Sequence, residues 1–109
     1  MERLTPRDFS EGHLRRPGTW VVAFLADWCP FCGAFRPSFE SFASEPRGAS
    51  FAVGDVTDEE SPLWERFGIE VIPTVIVFRD GRPVFRRDGR PGEGLGAEDL
   101  SEVRSWLVS

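Results

Sequence analysis

Two cysteines stand three positions apart in Trp28-Cys29-Pro30-Phe31-Cys32. Thiols at that spacing can exchange with disulfides, hold half of a metal site, or close a structural bridge. Their surroundings separate these chemistries. Ahead of them, Trp20-Val21-Val22-Ala23-Phe24-Leu25-Ala26 is apolar without alternation, as in a strand covered on both faces. Behind them, Phe31, Phe35, Phe39 and Phe42 recur at helical spacing. This stripe predicts a helix from about residue 30 to about residue 44, kinked at Pro37. The pair therefore falls at the carboxyl end of a buried strand and at the start of a helix, the usual place for a site in an open α/β sheet.

Free backbone N–H groups and the helix dipole stabilise an anion at that position, which favours a thiolate at Cys29. Cys32 lies one turn deeper on the same face, within reach of a sulfur–sulfur bond. Pro30 suits the first helical position, where its missing N–H costs nothing. The spacing thus predicts Cys29, exposed at the helix tip, as a nucleophile that forms a mixed disulfide, and recessed Cys32 as the thiol that resolves it. A zinc site would need a second chain, because the sequence has no further cysteine and its one histidine, His13, falls in a predicted surface segment. A structural bridge across so short a loop would constrain the unfolded chain little. No metal is expected, and no cofactor beyond a redox-active Cys29–Cys32 disulfide.

The elements that must position this pair can be read along the chain. Thr5-Pro6-Arg7-Asp8 carries capping signals for a short helix ending near Arg15-Arg16-Pro17-Gly18. Ser50–Val53 is a strand candidate, and Asp58 to Phe67 a helix candidate through Leu63, Trp64 and Phe67. Thr74–Phe78 and Pro83–Phe85 flank Asp80-Gly81 as a hairpin. A glycine-rich loop from Arg87 to Gly96 leads into an amphipathic helix from Ala97 to Val108. The order predicts an α/β fold: a mixed sheet, with a parallel strand–helix–strand unit and an antiparallel hairpin, flanked by helices on both faces.

The chain has 109 residues, which suits one domain over residues 1–109. Thirteen basic residues, all arginine, against 18 acidic ones give a net charge of −5, which argues against nucleic-acid partners. The longest apolar run, Trp20 to Ala26, is far short of the roughly 20 residues that span a bilayer. A soluble, cytoplasmic monomer without membrane contact is the expectation.

Taken together, Phe24-Leu25-Ala26-Asp27-Trp28-Cys29, Pro37 five residues after Cys32, and Phe67-Gly68-Ile69-Glu70-Val71-Ile72-Pro73-Thr74 resemble the thioredoxin family over nearly the whole chain. The Asp80-Gly81 hairpin and Gly89 also fall at family positions. The resemblance implies a thioredoxin fold and a dithiol–disulfide oxidoreductase acting on protein disulfides, recharged by a reductase or a partner thiol protein. It implies a cis Ile72–Pro73 bond facing the sulfurs, with the Ile72 backbone pairing an extended substrate. Trp28, Pro30, Phe31 and Gly89 complete the substrate-contact candidates.

Two departures stand out. Pro30-Phe31 replaces the usual Gly-Pro between the cysteines, a change that could make the pair more oxidising. Phe31 could equally just begin the core stripe. Ala23 occupies a position where the family commonly carries a buried aspartate, and the region near Gly54 lacks its basic partner. Asp27 should point away from the cysteines as a solvated carboxylate. Arg79, Arg82, Arg86, Arg87 and Arg90 read as a solvated basic edge. The alternatives are a glutathione-dependent, glutaredoxin-like enzyme and a non-catalytic binding module with a structural disulfide.

Overall fold

The computed structural model of the chain describes residues 1–45 and 48–108. Five strands form the main sheet: β1 (Glu2–Leu4), β4 (Thr19–Leu25), β5 (Ser50–Asp55), β6 (Thr74–Arg79) and β7 (Arg82–Asp88). Their spatial order is β1-β5-β4-β6-β7. β1 and β4 run parallel to β5, while β6 runs antiparallel to both β4 and β7, which makes the sheet mixed. The apolar segment predicted from residue 20 is the central strand β4, with Val21, Val22, Ala23, Phe24 and Leu25 all at 1% exposure or less.

Strand alternation assigns the layers. Val21 pairs with Phe51, and the Phe51 ring packs on Phe39 and Phe42 of α1 (Pro30–Ala43), so α1 covers that face. Val77 and Phe85 continue the same face, where Phe85 meets Trp106 of α3 (Ala97–Val108). On the opposite face Phe24 and Phe78 pack with Phe9 and with Phe67, which caps α2 (Pro62–Arg66). Gly54 is required there. A Cβ on it would lie 2.6 Å from the Phe24 ring. Burying Phe-sized side chains is worth about 1.5–3 kcal/mol each, so these two apolar layers hold the sheet that carries the cysteines.

The amino-terminal segment departs from its reading. Thr5 and Asp8 do form a capping box, with the Asp8 carboxylate accepting the Thr5 N–H at 2.8 Å, but only one 3-10 turn (Pro6–Asp8) follows. The chain then forms two short antiparallel strands, β2 (Phe9–Ser10) and β3 (His13–Leu14), because Phe9 and Leu14 reach the core better from paired extended backbone than from a helix. β1, ahead of them, had no sequence signal. The second helix is also shorter than the Asp58–Phe67 reading. Ser61 accepts the Leu63 N–H as its N-cap and Pro62 takes the first position, so residues 58–60 form a turn. α1 runs through Pro37 to Ala43 as a single helix. Asp80 and Gly81 adopt left-handed φ values of 51° and 89°, the requirement of a two-residue hairpin turn.

Candidate active site

Cys29 is the N-cap of α1, and its sulfur accepts the Cys32 N–H at 3.2 Å. The helix start thus aims the free Cys32 amide at this sulfur. Cys29 Sγ lies 3.8 Å from the Ile72 carbonyl oxygen, and the Ile72–Pro73 bond is cis. Both cysteines are unbridged thiols. The expectation that Cys29 is exposed needs correction. It is 7% exposed and Cys32 1%, with the Ile72 carbonyl oxygen 3.8 Å from the Cys29 sulfur. Burial pushes the Cys32 thiol up to about 12; the hydrogen bond with Cys29 adds to this and a backbone bond from Ala26 opposes it.

The aromatic residues beside the pair divide sharply. Cys32, Phe35, Phe39 and Phe42 form the buried stripe of α1, and Phe31 is not part of it. Phe31 is 41% exposed and Trp28 52%, so two large apolar side chains flank the thiols in the open. Trp28 is nonetheless fixed. Its Nε1 donates to the Thr57 carbonyl at 2.8 Å, and its ring stacks on Trp64 at 6.3 Å with 11° between planes. Trp64 Nε1 donates to the Asp58 carbonyl at 3.2 Å. The sequence placed Trp64 only among the apolar positions of the second helix; its spacing from Trp28 carried no signal of this stack.

Gly89 is buried and serves close approach. A Cβ there would stand 2.5 Å from the Pro73 carbonyl oxygen. Pro30 is exposed at the helix start. Asp27 is 61% exposed and faces Arg3, away from the sulfurs. Ala23 lies on the α1 face of β4, fully buried, so this strand offers Cys32 no carboxylate. His13 is exposed. The basic edge is not simply solvated: Arg86 donates to the Phe67 and Gly68 carbonyls and to Asp88, while Arg87 pairs with Asp99 and Glu102. Among the described residues, no group of three or more His, Cys, Asp or Glu could hold a metal ion, and no helix is long and apolar enough to cross a membrane.

A vicinal thiol pair at a strand–helix junction, with one sulfur on the helix's free amide and one buried beneath it, is the arrangement of a thiol–disulfide oxidoreductase. The sequence pattern of the family described as Thioredoxin matches residues 1–102, and the chain belongs to that family. The thioredoxin of Mycobacterium tuberculosis is 32% identical over 102 residues, covering 93% of this chain and 87% of that protein. Protein disulfide-isomerase A3 of Gallus gallus is 32% identical over 93 residues, or 84% of this chain. This chain spans only about a fifth of the length of the disulfide isomerases it matches. Among solved structures, thioredoxin f from spinach chloroplast superposes with a TM-score of 0.77 over 99% of this chain and 86% of that one, at 22% identity. A thioredoxin from Malassezia sympodialis gives 0.70 over 84% and 78%, at 26% identity.

Proposed function

We propose that the protein exchanges its Cys29–Cys32 dithiol with disulfides of protein substrates. The observation that carries this reading is the Cys29 sulfur, held on the Cys32 N–H at the helix start and next to the Ile72 carbonyl at the mouth of the site. Cys29 attacks as the thiolate, forms a mixed disulfide with one substrate sulfur, and releases the other as a thiolate that takes up a proton. Cys32 then loses its proton and attacks Cys29 Sγ, which releases the second substrate thiol and leaves the Cys29–Cys32 disulfide. Two electrons and two protons pass to the substrate in total. One of these protons comes from Cys32 and the other from water, and a reductase or a partner thiol protein returns the two electrons.

The substrate lies as an extended segment along Ile72, within the apolar border of Trp28 and Phe31. With Pro30-Phe31 in place of the usual Gly-Pro between the cysteines, the pair should be more oxidising than the roughly −270 mV of a typical thioredoxin. Equilibration with glutathione or dithiothreitol buffers, scored for the oxidised fraction, measures this directly. Cys29→Ser should abolish exchange, and Cys32→Ser should accumulate the mixed disulfide with a protein substrate. Exchange that survives Cys29→Ser overturns the reading, and robust turnover with glutathione and glutathione reductase would replace it with a glutaredoxin-like one.

The second step has a distinctive chemistry. With alanine at position 23, buried Cys32 must give its proton to water, to another carboxylate or to the departing thiolate. Ala23→Asp should therefore speed release from the mixed disulfide in single-turnover experiments, at some loss of stability from the buried carboxyl. An unchanged rate would show that deprotonation is not limiting. In Cys29→Ser the burial of Cys32 persists, so its alkylation should titrate at higher pH than the about 8.5 of an ordinary thiol.

A further inference from the structure

β7 ends at Asp88, and residues 89–96 fold back as a tight turn in which Arg90 and Gly94 exchange backbone hydrogen bonds at 3.1 and 2.8 Å. The turn borders the site on two sides. Gly89 touches Pro73 and Ile72, and at Gly94 a Cβ would stand 3.0 Å from the Cβ of Phe31. It therefore spans the space between the substrate edge and the exposed ring beside the cysteines.

The turn has little apolar burial of its own. Arg90, Pro91, Gly92 and Glu93 are exposed, and Leu95 is its one buried large side chain. What ties it down is Asp99, in the first turn of α3 and 5% exposed. Asp99 Oδ2 accepts the Gly96 N–H at 2.9 Å and Arg90 Nη2 at 3.1 Å; Oδ1 accepts Arg90 Nη1 at 3.3 Å. Arg87 Nε on β7 lies 3.6 Å from the same Oδ1. One buried carboxylate thus joins the strand before the turn, its second residue, its last residue and the helix after it. A bidentate arginine–carboxylate pair in this setting fixes orientation as well as distance.

We propose that Asp99 is a positioning residue for substrate selection. Through Arg90 it holds the 89–96 turn against Phe31 as one wall of the groove, so that an extended protein segment docks beside Cys29. The thiol chemistry itself does not depend on it. This inference rests on protein disulfides being the substrates. A small disulfide reaches the sulfur without lying along the wall, and the two substrate sizes therefore separate positioning from chemistry.

The test compares wild type with Asp99→Asn, Asp99→Glu and Arg90→Gln on an unfolded protein disulfide and on a small aromatic disulfide. Asp99→Asn keeps the side chain's size and an acceptor for the Gly96 N–H but loses the charge facing Arg90. Asp99→Asn and Arg90→Gln should each raise KM for the protein substrate about fivefold to tenfold with kcat unchanged within about twofold, as expected for misplacing a groove wall. The rate with the small disulfide should stay within about twofold of wild type, and Asp99→Glu should recover part of the KM. A parallel fall on both substrates, or no change on either, overturns the proposal. Should Asp99→Asn fail to fold, Arg90→Gln carries the same comparison. Wild type that reduces the small disulfide but not the protein one overturns the substrate reading itself, a failure visible before any variant is made.

Discussion

The two sides of the cysteine groove are built by different physics. The Ile72–Pro73 side is over-determined: Ile69 and Ile72 are buried, Thr74 Oγ1 donates to the Val71 carbonyl at 2.7 Å, and Gly89 abuts Pro73 with no room for a Cβ. The guanidinium of Arg86 adds hydrogen bonds to the Phe67 and Gly68 carbonyls just upstream. The 90–96 side has glycine-rich backbone and mostly exposed side chains, with Leu95 buried, and is tied down by the Asp99 carboxylate. Packing fixes the first side through close apolar and backbone contacts. The second depends on one charge, so it can be altered without disturbing the core.

The largest test of that contrast is Gly89→Ala. Its methyl would sit 2.5 Å from the Pro73 carbonyl oxygen, backbone that cannot swing aside. Overpacking of this kind costs about 1–3 kcal/mol, which thermal melts should register. The displaced proline edge should lower kcat/KM for protein disulfides by about tenfold or more. Next comes Arg86→Leu, which strips the donors from two carbonyls and leaves Asp88 without its partner. Hydrogen bonds to charged groups are worth about 1.5–3 kcal/mol, so the melting temperature should fall by several degrees. Activity should suffer less than in Gly89→Ala, because packing still holds Ile72. A larger activity loss from Arg86→Leu would reverse the ranking of packing over polar anchoring.

The smallest expected effect is acid sensitivity of the other side. Burial raises the Asp99 pKa, but hydrogen bonds from Arg90 and the Gly96 N–H, with the charges of Arg90 and Arg87, outweigh it and hold the carboxyl below its ordinary range. A depressed carboxylate contributes stability that is present above the unfolded value of about 3.9 and lost as pH falls through the folded one. Wild type should therefore lose stability between about pH 4 and lower pH more steeply than Asp99→Asn, as measured by urea titrations at stepped pH. Identical slopes would mean that the carboxylate does not anchor the turn.

The residues that could be read from sequence are those whose signals are local. The cysteine pair, the unalternating strand before it, the phenylalanine stripe after it and the Asp80-Gly81 turn each announce themselves within a few positions. The misreadings share an opposite cause. Thr5 and Asp8 form their capping box, yet Phe9 and Leu14 pair across a turn and halt the helix, a decision made by the distant rings of Phe24, Phe67 and Phe78. β1 is three residues long and is held by pairing with a strand some fifty positions on. Phe31 has the right spacing for the core stripe but sits in the first turn, where the helix leaves the sheet and Cys32 takes the inward place. Of the features missed, Asp99 left a trace. An acid three residues after Gly96 matches an N-terminal capping pattern, although nothing local says that Arg90 joins it. The Trp28–Trp64 stack left none, since it depends on how α2 lies beside the strand end.

The amide of Cys32 carries one last consequence. Its N–H points at the Cys29 sulfur, with nitrogen and sulfur 3.2 Å apart, and in the exchange proposed above that sulfur alternates between a free thiol and half of a disulfide. The resonance of this single backbone proton is thus a built-in gauge of how far the molecule is charged with electrons, readable by magnetic resonance without any added dye or label.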